Sequence, residues 1–113
     1  MQKKVGVCLD TCHAFASGYD LRDKKSVSKT LREFEKQIGL KNLKLIHIND
    51  SKTELGSHKD RHEHIGLGKI GKAGFKELIK HPKLKHVNMI LETPNDDLGS
   101  QESDLKLLKS LRK

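Results

Sequence analysis

The stretch Leu43–His64, LKLIHINDSKTELGSHKDRHEH, decides how this chain is read. Its first residues, Leu43 to Ile48, form an apolar run of strand length without strict alternation. That pattern suits a strand covered on both faces in a parallel sheet. The run turns polar at Asn49-Asp50 and ends in a loop where Asp60, His62 and His64 alternate. Alternate residues of an extended segment point the same way, so a carboxylate and two imidazoles share one side, as a divalent cation requires. Taken alone, DRHEH is more often a solvated charged loop. His47 in its apolar strand is more often a hydrogen-bonded core histidine. What the rest of the chain brings to the same place decides between these readings.

Working outward, two further runs match the first. Lys4 to Leu9 (KVGVCL) and Val87 to Leu91 are short, apolar and rich in β-branched residues, and Cys8 is expected to be a buried small apolar residue within its run. Between them the spacing turns helical. Val27, Leu31, Phe34 and Ile38 form one stripe over Ser26–Ile38, with Gly39 as a C-terminal stop. Lys72 to Lys80 buries Phe75, Leu78 and Ile79 and ends before Pro82. Ser100 to Leu111 turns Leu105, Leu108 and Leu111 inward. CHAFASGYD (12–20) reads as irregular, and the glycines of GLGKIG (66–71) allow tight turning or close approach to a ligand. Strand and helix alternate three times, which predicts an α/β fold with parallel strands and right-handed crossovers.

Parallel strands place their C-terminal ends on one edge of the sheet, where α/β folds build their sites. Asp10, His47 and Glu92 fall at or near those ends. An Asp at a strand end is commonly a helix cap or turn residue, but all three strands carry a potential ligand. A second set is His13, Asp60 and His62. One helical turn carries Asp10 and His13 to the same mouth, and the loop with Asp60 and His62 opens over that edge. Mixed carboxylate and imidazole donors without thiolate suit zinc or manganese in a catalytic role. Cys12 stands beside these residues and is not expected to be a ligand. Clustered metals with open positions hydrolyse phosphate esters.

Composition bounds the reading. The chain has 113 residues and a formal charge of +8, with its lysines scattered rather than clustered. The charge suits a polyanionic partner. One Tyr and no Trp argue against an aromatic base-stacking surface. No apolar run reaches the ~20 residues of a membrane span. MQKKVGV leads straight into strand-like sequence, so no secretion signal is expected and the location is expected to be cytoplasmic. Two cysteines are too few for a disulfide framework.

VGVCLDTCHAFASGYDLR (5–22), LIHINDSK (45–52), DRHEHIGLGKIG (60–71) and ILETP (90–94) resemble the C-terminal part of endonuclease IV, the apurinic/apyrimidinic endonuclease family. The resemblance runs from about Val5 to Leu111. It implies a TIM barrel with three zinc ions at its mouth, cleaving the phosphodiester 5′ to abasic sites in double-stranded DNA during base excision repair. By motif, His13, Asp60 and His62 hold one zinc. Asp10, His47 and Glu92 hold a second and form the catalytic set. Arg61 and Lys52 approach the DNA backbone, while His64, with His58, His81 and His86, stays on the surface.

A complete (β/α)8 barrel needs about 250 residues, so residues 1–113 are expected to be a single partial domain, the C-terminal three βα units of an incomplete barrel. Two further histidine ligands, the zinc-bridging glutamate and much of the DNA surface belong to the family's N-terminal part. One zinc set is then complete, a second lacks its bridging carboxylate, and the chain alone is expected to have little nuclease activity. The open edges call for a separately encoded N-terminal part or for self-association. Two other readings stand beside this one: a sugar isomerase or epimerase on a related metal barrel, and a non-catalytic zinc-stabilised DNA-binding remnant.

Overall fold

A computed structural model describes residues 6–112. Its centre is a three-stranded parallel sheet of β1 (Val7–Asp10), β2 (Leu43–Ile48) and β5 (Asn88–Leu91), with β2 in the middle. A two-residue antiparallel pair, β3 (Asp50–Ser51) and β4 (His62–Glu63), follows the end of β2. The helices are α1 (Thr11–Ala16), α2 (Lys24–Gln37), α3 (Lys72–Lys80) and α4 (Gln101–Arg112). This is the expected α/β order, with two short strands added. One correction concerns CHAFASGYD, whose first part is helical: Asp10 caps α1 by accepting from the His13 amide at 3.1 Å.

The sheet is two-faced. Leu9, Ile46, Met89, Ile48 and Leu91 face the helices, and Ile46 and Ile48 are buried with Phe15, Leu21, Phe75 and Leu78 in one core. Cys8, Leu45, His47 and Ile90 alternate to the other face. There Cys8 is exposed and Ile90 is 48% exposed. The expectation that β1 is covered on both faces and that Cys8 is buried is therefore corrected, because among the described residues one layer of helices covers this sheet. Among the described residues, both outer strands also keep a free parallel edge. The expected strand residues Lys4 and Val5 lie outside the described residues.

Local signals place the helices. Asp23 and Ser26 form a reciprocal capping box at the start of α2, an arrangement of about 1 kcal/mol. Gly39 ends that helix with φ at +96°, and Ile38 beside it is exposed rather than part of the buried stripe. In α4, Leu108 is buried but Leu105 is 45% exposed, and Asp104 occupies the inward position instead. Among the described residues no helix is long and apolar enough to cross a membrane.

Candidate metal centre

Sheet register assembles the first donor group. Asp10 of β1 pairs with His47 of β2, which pairs with Ile90 of β5. Paired residues in a parallel ladder face the same way, and Glu92 lies two residues beyond Ile90, one row further along. Asp10, His47 and Glu92 thus offer ligand atoms within 4.8 Å of one another, with His47 Nδ1 in direct contact with Glu92 Oε1.

The second group comes from the loop after β3. Asp60 Oδ1 lies 3.4 Å from His62 Nε2, and Asp60 Oδ2 lies 3.7 Å from His13 Nδ1, so Asp60 stands between the two imidazoles. His62 Nε2 is also 3.2 Å from Asp10 Oδ2. Asp10, Asp60 and His62 form a compact set with Cys12, all four within 4.8 Å, while His13 joins it only through Asp60. Asp10 belongs to both groups. Its two expected roles are divided between its oxygens: Oδ1 caps α1, and Oδ2 faces His62.

Cys12 is buried in this set but is committed elsewhere. Its thiol donates to the Arg61 carbonyl at 3.2 Å, and burial, with a hydrogen bond to Asp60, pushes it up to about 12. Without a cation beside it such a thiol stays protonated, and its Sγ lies within the same compact set as Asp10, Asp60 and His62. Arg61 and Lys52 are exposed and adjacent, joined by a backbone bond from Lys52 N to Arg61 O at 3.0 Å.

Several residues that hold the site were not anticipated. Asn49, fully buried, donates to Asp10 Oδ2 at 3.3 Å and accepts from the Glu92 amide at 2.9 Å, so one amide side chain ties two strand ends. Thr11 exchanges hydrogen bonds with the Asn49 backbone in both directions. Asp50, a side chain of the protein itself, is what the glycine loop closes around. Its carboxylate accepts from the amides of Ser51 and Ile70 on one oxygen and from Gly66, Gly68 and Gly71 on the other. A Cβ on Gly68 would lie 2.4 Å from the Ser51 carbonyl, so only glycine allows that approach. Burial raises the Asp50 carboxyl, and these amides oppose the rise.

His64 is the clearest correction. It is not on the surface but 2% exposed, with Nδ1 donating to Asp104 Oδ2 and Nε2 to Asp96 Oδ1, both at 2.7 Å. Burial pushes this imidazole down, yet the two carboxylates outweigh it and hold His64 above its ordinary value of 6.5. Its strand-like alternation with His62 ends because β4 stops at Glu63 and the chain turns. Of the other histidines, His86 contacts the Leu40 carbonyl at 3.1 Å, and His58 is exposed. The carboxylates and imidazoles of the two groups fit zinc or manganese by the chemistry of the donor set.

The xylose isomerase-like TIM barrel family matches residues 2–113. The chain belongs to that family. It is 47% identical over 108 residues to a probable endonuclease 4 of Methanosphaerula palustris, covering 96% of this chain and 38% of that protein. It is 51% identical over 110 residues to a probable endonuclease 4 of Halothermothrix orenii, covering 97% and 39%. The crystal structure of endonuclease IV from Thermus thermophilus superposes with a TM-score of 0.80 at 36% identity, covering 94% of this chain and 38% of that one. The chain therefore spans about two-fifths of the length of the relatives it matches, and within the family its likeness is to endonuclease IV.

Proposed function

We propose that the chain is the C-terminal portion of a zinc-dependent endonuclease acting on DNA at abasic sites, hydrolysing the phosphodiester on the 5′ side. The observation that carries this reading is the pair of donor groups joined at Asp10 on the C-terminal edge of a parallel sheet. In it His13, Asp60 and His62 serve one zinc, and Asp10, His47 and Glu92 serve a second. Manganese suits the same donors. The names of the relatives, all endonucleases, favour it over the isomerase reading.

When bound, such a cation supplies Lewis-acid polarisation of a phosphodiester and acidifies water at neutral pH. The chain's own residues prepare for this. His62 Nδ1 donates to the Glu92 carbonyl at 3.0 Å, which fixes the tautomer and leaves the Nε2 lone pair for a cation shared with the Asp10 and Asp60 carboxylates beside it. Asn49 holds Asp10 and Glu92 at a fixed separation. Arg61 and Lys52 are placed to take backbone phosphates, which gives binding its salt dependence.

The same reading assigns the exposed sheet face and the two free edges to the rest of a barrel, carried by an N-terminal part or replaced by self-association. The isolated chain then retains about one zinc and little nuclease activity. Zinc per chain, measured before and after Asp60→Ala, tests the ligand assignment, and equal zinc in the two proteins overturns it. Strong incision of an abasic-site duplex by the 113-residue chain overturns the expectation of inactivity.

A further inference from the structure

We propose that His64 is a positioning residue that sets the geometry of the donor loop. It does so by clamping the end of β4 to α4 and to the loop after β5. The proposal rests on the reading of Asp10, Asp60 and His62 as metal ligands. The contacts close a ring. His62 Nδ1 donates to the Glu92 carbonyl, and the next residue, Thr93, donates to Asp104 Oδ2 at 2.6 Å. The same oxygen accepts from His64 Nδ1, and Asp104 Oδ1 accepts from the Ile65 amide at 3.1 Å. His64 then leads back along the chain to His62. Asp96 closes the outer side by taking Nε2 while accepting from the Leu98 amide at 2.9 Å.

The position of the His62 ring thus depends on two linkages, one direct and one through α4. Every member of the clamp is satisfied, and His64, Thr93 and Asp104 are all buried. Such a network has one arrangement rather than several, which is what a ligand set needs from its supports. Without the clamp, the loop keeps the two-residue β3–β4 pair, the bonds to the Arg61 and Lys59 carbonyls and the bond to Glu92, all of them before His64, while its C-terminal end loses its tie to α4.

The test uses the full chain, titrated with Co2+ and followed by ligand-field absorption, together with hydrogen exchange of peptides covering 60–65. His64→Gln should weaken Co2+ binding about 10- to 100-fold. It should also alter the absorption bands and accelerate exchange across the loop. Asp96→Asn, which removes only the outer carboxylate and spares the buried core, should move all three readouts in the same direction by less. Leu108→Ala, a core truncation in α4, should lower stability while leaving Co2+ affinity within about twofold and the bands unchanged.

If Leu108→Ala shifts binding and bands as His64→Gln does, His64 is only a stabilising residue and the proposal is wrong. If His64→Gln leaves binding and exchange unchanged, it is wrong as well. Absence of Co2+ binding by the wild type would overturn the metal reading instead. The exchange arm then decides the clamp alone, and unchanged exchange in His64→Gln and Asp96→Asn rejects it.

Discussion

Two clusters of imidazoles and carboxylates lie within a few residues of each other in this chain, and they differ in kind. In the clamp, one imidazole sits between two carboxylates, and every oxygen named has a donor from Thr93, Ile65 or Leu98. On the open edge, Asp10, Asp60 and Glu92 face His13, His47 and His62 with side chains from 22% to 68% exposed. Identical chemistry thus yields a closed structural unit in one place and a solvent-facing group of possible ligands in the other. The difference lies in which elements cover each cluster: α4 packs over the clamp, and nothing among the described residues packs over the edge.

The contrast breaks most sharply at Asp104. Its truncation to Ala strands a buried imidazole and a buried hydroxyl, so a loss of about 3–5 kcal/mol is expected in urea denaturation. A loss below about 1 kcal/mol, the scale of an ordinary substitution, would mean that the clamp is no more than a surface contact. Zinc sharpens the other side. At about a hundredfold its Kd it should stabilise the chain by about 2.7 kcal/mol. His62→Ala should abolish that gain while changing the metal-free stability by no more than about 1 kcal/mol. Equal zinc stabilisation in the variant would place the cation elsewhere.

A smaller effect separates the clusters by pH. His64 is raised in the folded state, so its contribution is complete below the unfolded value of 6.5 and is lost as pH rises through the higher folded value. Asp96 is lowered, first by its bond from His64, so its contribution is present above 3.8 and is lost as pH falls through the lower folded value. Denaturation midpoints of wild type and His64→Gln should therefore lie furthest apart between these limits and converge outside them. A constant gap across the range would contradict the charged clamp. The smallest change is expected at Leu105, where Ser in place of the exposed leucine should alter stability by less than about 0.5 kcal/mol.

How much of this was legible follows the same division. The strands and the three long helices are carried by local periodicity, and the register that pairs Asp10 with His47 follows once the strands are parallel. That Asp10, His47 and Glu92 meet was readable because strand ends share one edge. The supports were not. Asn49, Asp50, His64 and Asp104 each have a partner 16 to 43 residues away, a separation that no local pattern encodes. One signal was present: Asp104 lies four residues before Leu108 on the apolar stripe of α4, and a carboxylate there needs a buried partner. Reading Leu105 as inward took the neighbouring row instead. Cys8 was misjudged because a run of apolar residues does not say which faces find cover.

Cys8 has a practical meaning beyond that misjudgement. It is the exposed thiol of the sheet's open face, while the other cysteine is sealed and held protonated at neutral pH. Nearby Asp10 and Glu92 add to burial in raising Cys8. Its alkylation rate is therefore a built-in gauge of its surroundings. The rate should fall when a polypeptide covers the face and rise when a cation neutralises the carboxylates beside it.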